Sequence, residues 1–142
     1  MNGNPAYTPE LIRARLAGAF PADMGVDPVA ITEDHAVGRM LVDRRHLHPG
    51  GVVHGGAWVA LADSVAAWQT FRHIPPDWSF TTLEMKLNVF AAGRTGDELI
   101  ATAEHLHAGR STHIVETRVH CRERLVANLL VTQFVLPPPA EA

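Results

Sequence analysis

Residues 48–68 read HPGGVVHGGAWVALADSVAAW and join a glycine-rich turn to an apolar segment that contains one acidic residue, Asp63. From Ala57 to Phe71, apolar side chains cover almost every side of a helix, and a helix that is apolar all round is normally buried. The segment is shorter than the roughly 20 apolar residues that span a bilayer. We therefore predict that it is the central helix of a domain and is enclosed by other elements.

Four long strand candidates follow this helix. In TTLEMKLNVF (81–90), apolar and polar residues alternate strictly, as in a β-strand with two different faces. DELIATAEHLH, THIVETRVHC and LVANLLVTQFVL come next, with short connections that suit antiparallel neighbours. HAVGRMLVDRRH (35–46) predicts one earlier strand. We expect an α+β domain in which a curved antiparallel sheet wraps around the helix.

The rest of the chain is consistent with one domain over residues 1–142. Thr8 is a suitable N-cap and Pro9 a suitable first residue for a short helix, which we predict over residues 9–20. The proline-rich tail, residues 137–142, is expected to be disordered. We see no internal repeat.

Composition narrows the partners and the compartment. The formal net charge is −3, whereas nucleic-acid-binding domains normally carry a basic stripe, so we expect no nucleic-acid partner. The single cysteine, Cys121, cannot form an intrachain disulfide, which fits a cytoplasmic protein. The N-terminal residues lack a signal-peptide pattern, and we expect no membrane association.

Asp63 is the residue that most strongly suggests chemistry. An ionised carboxylate on a buried helix costs several kcal/mol unless it is paired or hydrogen-bonded. No lysine or arginine lies within one helical turn of it. Asp63 could cap another element or bond a neighbouring strand. Alternatively, it acts at an internal cleft as a nucleophile or general base.

Gly55 and Gly56 begin the same helix. The first amide N–H groups of a helix have no intrahelical partner and carry the positive end of the helix dipole. Without side chains there, a ligand can approach the backbone closely, and such a terminus can bind an anion or stabilise an oxyanion. Glycines before a helix are also common in plain turns, so this pair alone is weak evidence.

The spacing of Gly55 and Asp63 predicts how a site that uses both would be assembled. Eight residues span about 12 Å along a helix. A donor to a carbonyl oxygen and a carboxylate that attacks its carbon must both lie within roughly 3–4 Å of the reacting group. One helix cannot supply both, so the site would combine Gly55 of one subunit with Asp63 of another. This hypothesis requires at least a dimer.

The stretch 48–68 resembles the motif of the hotdog-fold acyl-CoA thioesterases, in particular the branch of the phenylacetate-pathway and 4-hydroxybenzoyl-CoA enzymes. The strand pattern of residues 81–119 also resembles that family, and the similarity spans residues 35–135. The resemblance implies a hotdog fold and hydrolysis of an acyl-CoA to a free acid and coenzyme A. It also implies no cofactor and a homo-oligomer with sites shared across a dimer, usually paired into tetramers.

The resemblance further implies roles for single residues. Asp63 matches the catalytic carboxylate, as nucleophile or general base, and Gly55 matches the amide that polarises the thioester carbonyl. His54 matches the motif histidine, which shapes the turn. Thr82 matches a hydroxyl that helps to place water in some members, although an outward strand residue is an equally good interpretation. His48 departs from the pattern, which commonly has Asn or Gln there; it could orient water or the acyl group, or be a solvated loop residue.

Two further groups would bind the substrate. Gly109, Arg110 and Ser111 match a turn that contacts the coenzyme A phosphates in the family, and an arginine fork suits that contact, although a plain turn has the same composition. The helix and its partner would line the acyl pocket. The helix residues that we assign to substrate binding are Gly56, Trp58, Val59 and Trp68, although each tryptophan could equally be a core residue. With Phe71, the two tryptophans slightly favour a medium-chain or aromatic acyl group.

Other functions have weaker support in the sequence. The histidine pairs 46/48 and 105/107 are joined by no cysteine and by no acids at a familiar ligand spacing, so we expect no metal site. No serine occupies the strand–helix elbow of a hydrolase triad, and no dehydratase motif is present. The alternative from another class is a non-catalytic hotdog module that binds acyl-CoA or acts in assembly.

Overall fold

The computed structural model describes residues 3–140. The helices are α1 (Pro9–Leu16), α2 (Phe20–Asp23) and α3 (Gly55–His73). The strands are β1 (Asp27–Ile31), β2 (Ala36–Leu41), β3 (Ser79–Val89), β4 (Glu98–Ala108), β5 (Thr112–Cys121) and β6 (Arg124–Leu136). No helix within these residues is long and apolar enough to cross a bilayer.

The six strands form one antiparallel sheet, in the order β1-β2-β4-β5-β6-β3, and α3 packs against it. The core lies between them: Leu61 and Val65 of α3 cluster with inward residues of the sheet such as Ala101 and Val115, and all four are fully buried. The predicted central helix and its antiparallel sheet are confirmed. The apolar pattern predicted this correctly because burial of its apolar side chains is the main interaction that stabilises such a helix in the fold.

The place of β3 differs from the prediction. The short connection between β3 and β4 suggested that they are neighbours, but β3 pairs only with β6, and β4 lies between β2 and β5. The connection instead packs inward at Gly93, where a Cβ would lie 2.7 Å from Val53 Cγ2 and 3.2 Å from the Trp58 ring. As a result β3 is an edge strand, and its outer edge has no partner within residues 3–140.

The helix predicted over residues 9–20 was too long. It starts at Pro9, with the Thr8 hydroxyl accepting a hydrogen bond from Leu11 N–H, but it ends at Leu16. Gly18 then adopts a φ of +75°, a left-handed conformation that ends helices, and a second short helix follows. Two short helices therefore stand where one was expected.

The strand predicted over residues 35–46 was also too long. β2 ends at Leu41, because Asp43 and His46 form a reciprocal capping box around a short 3-10 helix, Arg44–His46. The prediction missed β1, a short edge strand that contains Pro28. The disordered tail stays a prediction: residues 137–140 form no helix or strand, and residues 141 and 142 lie outside the described residues.

Candidate active site

The N-terminus of α3 presents one free backbone donor. His54 is the N-cap, and its Nδ1 accepts a hydrogen bond from Gly56 N–H at 2.8 Å. Within residues 3–140 the Gly55 N–H makes no hydrogen bond, and a Cβ on Gly55 would meet nothing within 4 Å. Gly55, rather than Gly56, therefore offers an unpaired N–H at the positive end of the helix dipole, with open space in front of it.

His48 lies beside this donor. Nδ1 of its ring accepts a hydrogen bond from Gly50 N–H at 2.8 Å, and the backbone N–H of His48 donates to the Val52 carbonyl at 3.0 Å. His48 and Gly55 line the same cavity, of about 370 Å³, together with Val89 and Phe90 at the end of β3. The structure thus brings His48 and Gly55 together, and Nε2 of His48 is the ring nitrogen left for a ligand.

Asp63 lies two turns further along α3 and makes no ion pair within the described part of the chain. Its Oδ1 is buried and has no hydrogen-bond partner there. The burial raises the pKa of the carboxyl above its usual value. The structural roles considered for Asp63, a cap or a bond to a neighbouring strand, are therefore absent within residues 3–140.

The cavity beside Asp63, of about 510 Å³, lies between α3 and the N-terminal segment. Gly56, Val59 and Trp68, three of the residues that we assigned to substrate binding, line it. Trp58 lies elsewhere: it is 1% exposed, its ring packs under Gly93, and it borders the cavity of His48 and Gly55 instead. Within one protomer, Asp63 and Gly55 open into different cavities.

The turn Gly109–Ser111 lies at the other end of α3. Gly109 and Arg110 line a cavity of about 380 Å³ with His73, the last residue of the helix. A helix of 19 residues is about 28 Å long, so this turn and Gly55 are separated by nearly the length of the domain core. Arg110 and Ser111 are exposed.

Thr82 lines neither the cavity of Asp63 nor the cavity of Gly55. It is exposed on edge strand β3, opposite Gln133 of β6, and a bulge follows it before Glu84. The described residues of one protomer therefore leave Thr82 apart from Asp63 and Gly55.

The sequence analysis missed a cluster of three histidines under the C-terminus of α3. Nε2 of His105 and Nδ1 of His113 are 2.9 Å apart, and the rings of His73 and His105 meet edge to face at 4.5 Å. Burial, with the neighbouring histidines, lowers the pKa of His105 to about 3 and that of His113 to about 4. The sequence contains a signal for the contact between His105 and His113, because these residues lie on the two sides of a short turn. No group of histidine, cysteine or acidic residues within residues 3–140 has a geometry that could hold a metal ion.

Comparison with known proteins identifies the family and the fold. The model of the thioesterase superfamily matches residues 50–127. The 1,4-dihydroxy-2-naphthoyl-CoA hydrolase of Listeria monocytogenes is 32% identical over 68% of this chain and 77% of its own. A mutant of thioesterase PA1618 from Pseudomonas aeruginosa, 24% identical, superposes with a TM-score of 0.90 over 96% of this chain and 99% of its own. The smu.793 protein of Streptococcus mutans, solved with acetyl CoA, is 25% identical with a TM-score of 0.73, over 81% and 91%. These likenesses confirm the expected hotdog fold.

Proposed function

Because the chain belongs to the thioesterase superfamily and is a thioester hydrolase, we propose that it hydrolyses an acyl-CoA to a free acid and coenzyme A. The observation that carries the proposal is the half-buried Asp63, whose Oδ1 has no partner within residues 3–140 on a helix that is otherwise mostly apolar and buried. The Listeria relative is named for a CoA thioester and the Streptococcus structure holds acetyl CoA, which supports the coenzyme A part.

Asp63 would act on the thioester carbonyl in one of two ways. As a nucleophile it forms a mixed anhydride and expels the coenzyme A thiolate, and water then cleaves the anhydride. As a general base it takes a proton from a water molecule that attacks the carbonyl directly. In both routes the thiolate leaves and takes up a proton. The raised pKa is compatible with both routes, because a more basic carboxylate is both a better proton acceptor and a better nucleophile.

The Gly55 N–H would stabilise the negative charge that develops on the carbonyl oxygen. Gly55 and Asp63 are about 12 Å apart along the axis of α3 and line separate cavities, which supports a site built from the partner's Gly55 and this subunit's Asp63. A homodimer would then hold two such sites, related by its twofold axis.

The exposed edge strand β3 is the proposed dimer contact. The strand exposes three apolar side chains, Leu83 (60%), Met85 (38%) and Val89 (47%). Its outer edge has no pairing strand within residues 3–140. An unpaired edge with apolar side chains suits pairing with a second copy. Because Val89 also lines the cavity of Gly55, a copy docked along β3 would approach that cavity. A further pairing of dimers into tetramers follows only from the family resemblance.

The remaining predicted residues have supporting roles in this proposal. His54 caps α3 by accepting the Gly56 N–H at Nδ1, so this nitrogen does not occupy the Gly55 N–H. His48 would point Nε2 toward the thioester or a water molecule in the cavity that it shares with Gly55. Thr82 would place water from the partner subunit, as it lies on β3, the proposed dimer contact. Gly109, Arg110 and Ser111 would bind the coenzyme A phosphates at the site that contains the partner's Gly55, since they lie far from Gly55 in their own chain.

The test replaces Asp63→Asn and Asp63→Ala and measures release of free thiol from a panel of acyl-CoAs. We expect turnover to fall by roughly 100-fold or more, as for the loss of a general base, while affinity for coenzyme A changes little. Asp77→Asn, at an exposed loop position, is the matched control and should keep full activity. Wild-type turnover in Asp63→Asn would refute the role of Asp63.

A further inference from the structure

The turn Gly109–Ser111 joins β4 to β5 and leaves two backbone donors without a carbonyl partner. Its own hydrogen bonds run from Gly109 N–H to the Thr112 carbonyl at 2.9 Å and from Val135 N–H to the Ser111 carbonyl at 2.8 Å. The backbone N–H groups of Arg110 and Ser111 donate to no carbonyl within residues 3–140. Two free N–H groups and an arginine fork in one turn suit a phosphate group.

His113 lies behind this turn. It is 1% exposed, and it lines the same cavity as Gly109 and Arg110. Burial and the neighbouring His73 lower the pKa of His113 to about 4, while a hydrogen bond to the Gly109 backbone acts in the opposite direction. A hydrogen bond that raises the pKa of a histidine is one that its ring donates, so the Gly109 carbonyl is the acceptor.

His105 determines which nitrogen of His113 faces the turn. Nε2 of His105 and Nδ1 of His113 are 2.9 Å apart, so Nε2 of His113 is the nitrogen left for the Gly109 carbonyl. Since Nε2 then carries the proton, Nδ1 of neutral His113 accepts from His105 Nε2–H. The remaining nitrogen, Nδ1 of His105, is therefore an acceptor, and it is buried with no partner within residues 3–140. Orphaned buried N–H groups are rarer in proteins than under-satisfied acceptors, which favours this assignment.

We propose that His113 is a positioning residue for coenzyme A binding: held by His105, its ring fixes the Gly109 carbonyl and with it the conformation of the turn Gly109–Ser111. The inference rests on the proposed role of this turn in binding the coenzyme A phosphates. It adds two buried residues to that site. It assigns them to binding rather than to the hydrolysis step, because the turn lies at the end of α3 opposite Gly55.

The pair can hold the turn only while both rings are neutral. A proton added to His113 would make Nδ1 a donor that faces the N–H donor of His105. The pKa values of about 3 for His105 and about 4 for His113 keep both rings neutral near pH 7. Arg110 supplies the positive charge that a phosphate needs, and within residues 3–140 no acidic side chain lines the cavity to oppose it.

The experiment measures KM and kcat for the best acyl-CoA substrate and for the matching acyl-pantetheine, which carries the same thioester without the phosphates. In His113→Phe, which loses both ring nitrogens, KM for acyl-CoA should rise roughly tenfold with kcat nearly unchanged, and KM for acyl-pantetheine should not change. His113→Gln keeps an N–H donor and should recover most of this loss. Val119→Ala, also fully buried on β5 but near its other end, is the control for lost stability and should change neither KM.

Two further variants test the route of the effect. His105→Phe leaves His113 in place but removes the bond that orients its ring, so KM for acyl-CoA should rise by a smaller factor; this variant serves even if His113→Phe does not fold. If His113 acts through the turn, Arg110→Ala combined with His113→Phe should raise KM by less than the product of the two single rises.

Failure of this inference can be told from failure of the proposed function. An unchanged KM for acyl-CoA in His113→Phe or, if that variant does not fold, in His105→Phe would overturn the positioning role. So would an equal rise for acyl-pantetheine, or single rises that simply multiply in the double variant. In each of these cases hydrolysis that depends on Asp63 still stands. If Arg110→Ala itself leaves KM unchanged, the proposed phosphate-binding role of the turn fails, and this inference fails with it.

Discussion

Gly55 begins α3 and Asp63 lies eight residues further along the same helix, yet the two residues line different cavities of the protomer. The Gly55 N–H is unpaired within the described residues, and so is Oδ1 of Asp63. One thioester cannot reach both groups of a single chain, because they are about 12 Å apart along the helix axis. A site that uses both therefore needs a second subunit.

Gly55→Pro should abolish the oxyanion donor without breaking α3. Proline is tolerated at the first position of a helix, and His54 before it has φ −67° and ψ 144°, which suits a residue before proline. We expect kcat to fall by roughly 100- to 1,000-fold, as for the loss of one oxyanion donor. Circular dichroism checks that α3 is intact, and steady-state kinetics measure the fall in kcat.

Gly55→Ala is the control for this substitution. It keeps the N–H, and its methyl group would meet no atom of the protomer within 4 Å, so the fold should be unaffected. Its kcat should stay well above that of Gly55→Pro. Equal losses in the two variants would mean that the N–H itself is not the active group.

Mixing Asp63→Asn with Gly55→Pro should restore activity if sites are shared. Each mixed dimer would hold one site with both groups intact and one site that lacks both. Equal mixing with free exchange should therefore recover about a quarter of the wild-type activity, measured by thiol release after subunits are exchanged. No recovery in a mixture that mass spectrometry proves to contain mixed dimers would place both groups of a site in one chain.

Asp63→Asn should also stabilise the protein at neutral pH. Burial raises the folded pKa of Asp63 above the unfolded value of roughly 3.9, so the unfolded chain loses its proton first as pH rises. Protonation of Asp63 therefore stabilises the folded state. This stabilisation is complete below about pH 4 and is lost as the pH rises through the raised pKa of the folded state. Urea unfolding at fixed protein concentration should show a gain in Asp63→Asn at pH 7 that shrinks at pH 4.

Arg110→Ala should weaken substrate binding more than turnover. The exposed guanidinium lies in the proposed phosphate-binding turn, at the end of α3 opposite Gly55. We expect a raised KM for every acyl-CoA with kcat nearly unchanged, because the phosphates are common to all these substrates. Arg122→Ala, also exposed but outside this turn, is the control, and an equal rise in its KM would argue against a specific contact.

The buried histidines should make the protein sensitive to acid. The pKa values of His105 and His113 are about 3 and about 4, so the folded state keeps both neutral while the unfolded chain takes up protons below about 6.5. Their contribution is complete above pH 6.5 and is lost as pH falls toward 4. His105→Phe should flatten this fall in urea unfolding, whereas His35→Gln, at a half-buried position outside this cluster, should not.

Several features could be predicted from the sequence because they depend on a few neighbouring residues. The apolar pattern of residues 57–71 predicted α3, and alternation predicted β3 over most of its length. The spacing of Gly55 and Asp63 was sufficient to show that one helix cannot supply both groups to one thioester. The limits of α1 and β2 were less accurate, because Gly18 and the capping pair of Asp43 and His46 end these elements earlier than the apolar pattern does.

The sequence by itself determined a central helix with one acidic residue, a set of antiparallel strands and two candidate catalytic groups. Only the tertiary structure decided that Trp58 lies under Gly93 while Trp68 borders Asp63, and that His73 meets His105. The reason is physical: periodicity and helix-end chemistry act over a few residues and are visible in the chain itself. Contacts between distant segments depend on strand order and crossovers, and no local pattern encodes them.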